Sequence, residues 1–212
     1  MINIQSLSKK FKDKVIYENI NLRFEPNKSY ALIGRSGSGK TTLLNAIGRL
    51  ERPNNGEITI NDEDIWKIKE KTFFKKYLGY VFQNYALIDN QTVWQNLKIV
   101  NKDNQIIKQA LEQVGLDTSY LKLKIYQLSG GQAQRVAIAR MILKEKKIIL
   151  ADEPTGALDG KTGEEIIDIL LNLVSEDTYV IIATHDPKVY SRVDVVIDVS
   201  TLQEENREKN VD

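Results

Sequence analysis

The chain has 212 residues, of which 42% are hydrophobic and 28% charged, and its formal net charge is +1. A chain of this size and hydrophobicity can bury a full α/β core, so residues 1–212 are expected to form a single domain. The near-neutral charge gives no electrostatic reason to expect a nucleic-acid partner, and the absence of cysteine excludes disulfides and thiolate metal sites.

The sequence shows no candidate signal peptide or membrane-spanning helix. Residues 1–14 are polar and basic without an apolar centre, unlike a signal peptide. The longest apolar runs, such as residues 179–183, fall far short of the roughly 20 residues that a membrane helix needs. If the protein serves a membrane, another chain is expected to span it.

The first part of the chain predicts a small antiparallel β lobe over about residues 1–30 and 56–70. Apolar residues indicate a first strand within residues 2–7, and residues 20–24 alternate as a half-buried strand should. Residues 58–62 are typical of a further strand and turn. Phe11 lies in a lysine-rich loop of this lobe, where its spacing is equally compatible with stacking on a base and with anchoring the loop.

Residues 34–41 match the phosphate-binding pattern G-x-x-x-x-G-K-[ST] at every specified position. An apolar run precedes this loop and a helix-forming segment follows it, which is the strand–loop–helix order that the pattern requires. Backbone N–H groups would turn inward around a polyphosphate, Lys40 would reach the β and γ phosphates, and Thr41 would ligate Mg²⁺. The candidate binding residues are Gly34, Ser36, Gly37, Ser38, Gly39, Lys40, Thr41 and Thr42.

A helical lobe is predicted over about residues 85–143. It follows an apolar strand at residues 78–82 whose end carries Gln83, a position where α/β folds bind ligands. Within the lobe, apolar residues between Ile106 and Val114 recur at helical spacing, which predicts an amphipathic helix with a core face that Gly115 ends.

Residues 128–132 read Leu-Ser-Gly-Gly-Gln before a strongly helical segment. Small residues at a helix N-terminus expose backbone N–H groups, and Ser129 adds a hydroxyl donor, so this turn can hold phosphate oxygens. Taken alone, the same pentapeptide is also typical of a plain helix-entry turn.

Two further strands deliver polar residues to their carboxyl ends. Residues 148–151 lead to Asp152 and Glu153, where Asp152 can hold Mg²⁺ and Glu153 can polarise a water for attack on a γ phosphate. Residues 179–184 lead to His185, the one histidine of the sequence. Thr162 and Glu165 suggest a capping box for the helix between these strands. Residues 203–212 are charged and predict a solvated tail.

Taken in order, these motifs closely resemble those of the ATP-binding cassette (ABC) ATPases over nearly the whole chain. The resemblance implies an α/β fold with a P-loop NTPase core, a small antiparallel β lobe and a helical signature lobe. It also implies an ATPase with ATP and Mg²⁺ as cofactors. In that family two cassettes face head to tail, so Ser129 and Gly131 would contact the γ phosphate held by the opposite subunit.

The same resemblance assigns roles to further residues. Phe11 would stack on adenine, although Tyr is more frequent there and Tyr17 is a less well placed alternative. Gln83 would sense Mg²⁺ and the membrane subunit, Asp159 would contact the opposite subunit, and His185 would be the γ-phosphate switch. Lys40, Gln83, Glu153 and His185 are therefore the candidate catalytic residues, and Thr41, Gln83 and Asp152 the candidate metal ligands.

The resemblance also suggests partners and a location. An ATP-dependent homodimer is expected on the cytoplasmic face of a membrane, docked on a separate permease through residues 85–97. The run from residue 152 to 159 is similar to the macrolide-exporter branch, which includes lipoprotein-release and antimicrobial-peptide systems, and residues 80–87 are similar to the bacteriocin-export group. No nucleic-acid partner is expected.

Three rival functions were weighed. A GTPase would read guanine with N-K-x-D, but the fourth residue is Asn104, whose amide cannot accept both guanine N–H groups. A small-molecule kinase would leave the Leu-Ser-Gly-Gly-Gln segment and His185 without a role. A soluble cassette ATPase for DNA repair or ribosomes shares the chemistry, but those chains usually carry coiled-coil insertions or two cassettes.

Overall fold

The computed structural model describes residues 1–144 and 146–202. Four strands of this part form an antiparallel sheet in the order β2-β1-β4-β5. Their bounds are Ile2–Phe11 (β1), Lys14–Phe24 (β2), Asn55–Ile60 (β4) and Glu63–Asp64 (β5). The β1–β2 and β4–β5 pairs are hairpins joined by tight turns at residues 12–13 and 61–62, and the second of these is the turn predicted from the sequence.

A five-stranded sheet forms the second layer, in the order β6-β7-β8-β3-β9, with every pair parallel. Its strands are Lys28–Ile33 (β3), Leu78–Val81 (β6), Ile148–Asp152 (β7), Tyr179–Ala183 (β8) and Val195–Asp198 (β9). All residues of β7 and β8 are buried, which is typical of parallel strands covered on both faces. Their carboxyl ends meet at one edge, so the residues that follow them lie together.

Helices cover both faces of the parallel sheet. Their bounds are Lys40–Ile47 (α1), Glu70–Thr72 (α2, continued by a π-helical turn, Phe73–Tyr77), Val93–Lys98 (α3), Asn104–Gln113 (α4), Gly130–Ile142 (α5), Gly160–Leu171 (α6) and Pro187–Tyr190 (α7). In the described part of the chain, none of these helices is long and apolar enough to cross a bilayer.

Two hydrophobic cores lie on the two faces of the parallel sheet. Leu150 and Ile181 pack with α1 and the antiparallel sheet on one face. Their neighbours Ile149 and Ile182 pack with the helical lobe on the other face. This alternation follows from the twofold side-chain period of a strand. The parallel sheet, including the edge formed by its carboxyl ends, therefore lies between the two cores.

Two local predictions are wrong. Thr162 does not cap α6, because Asp159 is the N-cap residue and its carboxylate accepts a hydrogen bond from the Thr162 backbone N–H at 3.0 Å. Ile106 is 43% exposed and does not belong to the core face of α4. Val93, in the segment predicted to contact a permease, is fully buried in the helical lobe. The predicted tail at residues 203–212 lies outside the described residues.

Candidate functional site

The loop between β3 and α1 has the geometry of a phosphate-binding loop. Gly39, the N-cap residue of α1, has φ +95°, and a Cβ there would lie 2.8 Å from Ile16. Lys40 is only 8% exposed, and its Nζ donates to the carbonyl oxygens of Gly34 at 2.9 Å and Arg35 at 3.4 Å. The ammonium group is therefore held inside the loop, where it faces any anion bound to the backbone N–H groups.

The carboxylate of Asp152 lies beside the start of α1. The Thr41 hydroxyl donates to Asp152 Oδ1 at 3.0 Å, which joins the loop to the end of β7. The pKa of Asp152 is raised, mainly by burial and further by the nearby Glu153 carboxylate. The hydrogen bond from Thr41 and the charge of Lys40 oppose this rise without cancelling it. A cation bound beside this buried carboxylate would stabilise its ionised form, because the positive charge offsets the loss of solvation.

Glu153 follows β7 with an unusual backbone. Its φ is +45°, a conformation that non-glycine residues rarely adopt. Its backbone N–H donates to the Ala183 carbonyl at 2.9 Å, and its Oε1 lies 2.9 Å from His185 Nδ1. The Glu153 side chain is 16% exposed and that of His185 is 73% exposed. The strained turn therefore directs a largely buried carboxylate toward the histidine at the next strand end.

These strand ends surround a cleft of about 610 Å³. It contains the phosphate-binding loop together with Gln83, Glu153 and His185. The carboxyl ends of β6, β7, β8 and β3 thus bring together part of the predicted site, whereas the described lining of the cleft does not include Phe11, Ser38, Ser129, Gly131, Asp152 and Asp159. The lining residues are Lys14, Ile16, Gly34, Arg35, Ser36, Gly37, Gly39, Lys40, Thr41, Thr42, Gln83, Glu153, Gly156 and His185.

Phe11 and Tyr17 differ sharply in accessibility. Phe11 is 46% exposed at the end of β1, and the Lys9 ammonium lies 4.6 Å from its ring centroid. Tyr17 is 1% exposed, and burial raises the pKa of its hydroxyl, with Glu51 adding to the rise. A ring packed in the core cannot stack on a ligand, so burial removes Tyr17 as the alternative to Phe11.

The Leu-Ser-Gly-Gly-Gln turn is a helix N-terminus. Ser129 is the N-cap residue of α5 and forms a capping box with Gln132, in which each side chain accepts a hydrogen bond from the other's backbone N–H. The N–H groups of the first helical residues, Gly130 and Gly131, have no partner within a helix and can bind an anion. Neither Ser129 nor Gly131 is among the described residues that line the cleft of the same chain.

A model of the ABC transporter family matches residues 17–156. The chain belongs to the ABC transporter family. It is an ATPase and an ATP-binding subunit of that family, and the α/β fold predicted from the sequence is confirmed.

Relatives and solved structures agree with this assignment. The cassette is 39% identical over 209 residues to the uncharacterized ABC transporter ATP-binding protein YvrO of Bacillus subtilis, covering 92% of this chain and 91% of the relative. It is 35% identical to the macrolide export ATP-binding/permease protein MacB of Campylobacter jejuni, covering 94% of this chain but only 33% of MacB. The predicted similarity to the macrolide-exporter branch is confirmed by these relatives.

Among solved structures, the dimeric structure of the cassette MJ0796, a protein of Methanocaldococcus jannaschii, superposes with a TM-score of 0.83. It is 32% identical and covers 94% of this chain and 95% of that one. A second structure of MJ0796, described as a post-hydrolysis state bound to ADP and Pi, has a TM-score of 0.82.

Asp159 of this ABC cassette lies apart from the nucleotide cleft. Its carboxylate caps α6, and hydrogen bonds from Thr162 lower its pKa. Asp159 instead lines a small second cavity with residues of α6 and α7. The structure therefore places Asp159, like Ser129, on a surface outside the cleft of its own chain.

Some residues of the site were not predicted from the sequence. Lys14 and Ile16 line the cleft because the β1–β2 hairpin reaches over the phosphate-binding loop, which no local pattern shows. Arg140 donates to the carbonyl oxygens of Ala86 at 2.7 Å and Tyr85 at 3.2 Å, and so fixes the turn after Gln83. The positive φ of Tyr85 and Ala86 (+62° and +50°) marks that turn as strained, but neither residue type signals it.

Proposed function

We propose that two copies of this cassette close head to tail around two ATP molecules, hydrolyse them, and drive export through a separate permease on the cytoplasmic face of a membrane. The observation that carries the proposal is the separation of two anion-binding elements. The phosphate-binding loop lines the cleft, whereas the Ser129 turn lies outside that cleft in the same chain. A second copy facing the first would bring its Ser129 and Gly131 onto the open side of the cleft.

Glu153 is the proposed general base. Its carboxylate stands at the cleft and can accept a proton from a water attacking the γ phosphate. His185 Nδ1 lies 2.9 Å from Glu153 Oε1 beside the same cleft, which supports a role for the imidazole in contacting a γ-phosphate oxygen. Lys40 would stabilise charge on the β and γ phosphates, for which it must exchange its bonds to the loop carbonyls.

The site fits a magnesium ion held together with phosphate. Thr41 Oγ1 and Asp152 Oδ1 are 3.0 Å apart, and Gln83 lines the same cleft, so the donors are the oxygen ligands that Mg²⁺ prefers. No cluster of three or more acidic or histidine residues that could hold a metal occurs in the described residues. Bound Mg²⁺ would neutralise developing charge on the phosphates, and this chain would supply one hydroxyl and the carboxylate beside it.

The permease is proposed to dock in a groove along β6. This groove of about 250 Å³ is lined by Leu50, Phe74, Leu78, Gly79, Tyr80, Phe82, Ile99, Val100, Arg140, Met141 and Lys144. Phe82 in the groove and Gln83 in the nucleotide cleft are consecutive, so a partner in the groove lies one residue from the ATP site. Arg140 and Lys144 in the lining favour a permease segment that combines apolar and acidic side chains.

The proposed cargo is a peptide, bacteriocin or other amphipathic molecule, moved outward. Support comes from relatives named for export, such as MacB and the probable syringafactin export protein SyfD of Pseudomonas syringae, which is 35% identical over 219 residues. This chain covers only 33% of either relative, and the names of both describe an ATP-binding part together with a permease.

A mixing experiment tests the composite site. Lys40→Ala removes the phosphate contact of a chain's own cleft, and Ser129→Arg removes the contact that it offers to the partner. Each variant alone should be inactive, but their heterodimer should contain one intact site and recover part of the ATPase activity. The specific activity of the wild-type protein should also rise with its concentration. Absence of recovery, with a concentration-independent rate for a monomer, would contradict the dimer.

Recovery from the native membrane tests the transport role. The tagged cassette should bring down an integral membrane protein, and washing with an acidic peptide competitor should release it. The alternative function is a soluble cassette ATPase acting on nucleic acid or ribosomes. Recovery with ribosomes or nucleic acid and no membrane partner would contradict transport and leave the ATPase assignment intact.

A further inference from the structure

Gln134 is a buried polar residue of α5 that the ATPase mechanism above does not use. It is 1% exposed, and its Nε2 donates to the Pro154 carbonyl oxygen at 3.0 Å. Its Oε1 is buried and has no hydrogen-bond partner in the described part of the structure. An unpaired buried amide oxygen destabilises a fold, so packing alone does not explain a glutamine at this position.

The partner of Gln134 stands next to the proposed general base. Pro154 directly follows Glu153, whose φ of +45° requires the surrounding structure to hold it. On its N-terminal side, Glu153 is fixed by its backbone hydrogen bond to Ala183 in β8. Gln134 supplies the side-chain hydrogen bond to the residue on the C-terminal side. The carboxylate is therefore aimed from a backbone segment that is held at both ends.

The helix that carries Gln134 also carries the Ser129 turn. A Cβ on Gly131 would lie 2.5 Å from Thr162 Cγ2, and one on Gly130 would lie 3.7 Å from Leu158 Cδ2, so the start of α5 packs closely on the segment that follows Glu153. An α-helix is stiff over the five helical residues from Gly130 to Gln134 that follow Ser129. A shift of the turn when it binds phosphate is thus passed to the Pro154 carbonyl.

We infer that Gln134 is a positioning residue: its hydrogen bond to Pro154 holds Glu153 in the orientation that activates water, and links that orientation to the Ser129 turn of the same chain. The inference rests on the proposed role of Glu153. In a head-to-tail dimer the Ser129 turn contacts the phosphate of the opposite site. The Gln134 hydrogen bond would therefore couple phosphate binding at one site to the orientation of Glu153 at the other.

Replacement of Gln134 by methionine tests this role, since methionine has a similar length but no amide donor. The misplaced base should lower kcat about tenfold while the KM for ATP stays within about twofold. The melting temperature should change little, because Gln134→Met removes the unpaired oxygen along with the donor. Val136→Ala is the matched control: this fully buried residue lies in the same helix, and its truncation should lower the melting temperature while kcat is kept.

A double variant separates positioning from general damage. In a Glu153→Gln background the base is already absent, so adding Gln134→Met should not slow the residual rate further. A kcat of Gln134→Met within about twofold of wild type would overturn the inference, as would an equal loss in both backgrounds. Failure of both Gln134→Met and Gln134→Leu to fold would make the residue structural and also overturn it. Near-normal turnover of Glu153→Gln alone would instead contradict the proposed base.

Discussion

At the scale of single residues, the site is built from side chains whose surroundings make their resting state unfavourable. Asp152 is a buried carboxylate with a raised pKa, Glu153 has a strained backbone, and the Lys40 ammonium is bound by its own loop. A cation would stabilise the Asp152 carboxylate, and a bound phosphate would offer the Lys40 ammonium an anionic partner. Local instability of this kind is typical of functional sites, which keep a geometry that the ligand completes.

Glu153→Gln keeps the shape of the side chain but removes the basic carboxylate. We expect ATP hydrolysis to fall by roughly 10² to 10⁴ fold while ATP binding persists. Turnover measured beside the dissociation constant for ATP checks both parts. A variant that hydrolyses ATP at a near-normal rate would show that another group accepts the proton.

Asp152→Asn should stabilise the nucleotide-free protein and abolish the dependence of ATP hydrolysis on Mg²⁺. Burial raises the pKa of Asp152 in the folded protein above its value in the unfolded chain. Folding stability is therefore lost as the pH rises from the unfolded-state pKa through the folded-state pKa, because the carboxylate then has to ionise in a buried place. Without nucleotide, the variant should therefore melt at a higher temperature than wild type at pH 8. This difference should shrink as the pH falls and the wild-type carboxyl becomes protonated. A lower melting temperature at pH 8 would contradict the pKa assignment.

At the scale of elements, the strands were easier to predict than the helix boundaries. Residues 148–151 and 179–183 are continuous apolar runs that only a covered parallel strand accommodates, and the residues after such strands must share an edge. The start of α6 was mispredicted because Asp159 and Thr162 are both good capping residues, three positions apart. Which of them caps depends on how α6 packs against α5, and a single sequence does not contain that information.

The contact between α5 and α6 provides a stability prediction. A Cβ added at Gly131 would lie 2.5 Å from Thr162 Cγ2, so Gly131→Ala should push the two helices apart and lower stability by about 1–2 kcal/mol. Thr162→Ser removes that methyl group and should restore much of the loss in the double variant. Denaturant unfolding of the four proteins gives the coupling directly. Additive effects of the two substitutions would mean that Gly131 serves phosphate binding alone.

At the scale of the whole molecule, the two lobes create the surfaces that no motif specifies. The groove along β6 is lined by residues of the segment after α1, of the π-helical turn and of the helical lobe, so its existence depends on how they pack. The segment at residues 85–97 was predicted to carry the permease contact. Val93 and Leu97 are core residues, whereas Ile88 within the segment and Ile99 just outside it are 44% and 62% exposed. Which apolar residues of this segment stay exposed depends on packing against distant residues, which a single sequence does not show, and the permease contact itself stays a prediction.

Ile99→Lys should uncouple the ATPase from the permease. The substitution adds positive charge to a groove already lined by Arg140 and Lys144, but it touches no residue of the nucleotide cleft. Basal ATP hydrolysis by the isolated protein should stay the same, while stimulation by the reconstituted permease should be lost. Ile106→Lys is the matched control, because Ile106 is also exposed but does not line the groove. Equal losses in both variants would place the docking surface elsewhere.

The position of the Ser129 turn outside its own cleft has a genetic consequence. A chain that carries both Lys40→Ala and Ser129→Arg would spoil each of the two sites in any dimer that it enters, including dimers with a normal chain. Only dimers of two normal chains would then be active. With random pairing, their fraction is the square of the fraction of normal chains, so such an allele would act dominantly. An allele with one of the two changes would instead leave one working site in every mixed dimer, and a cell could tolerate it.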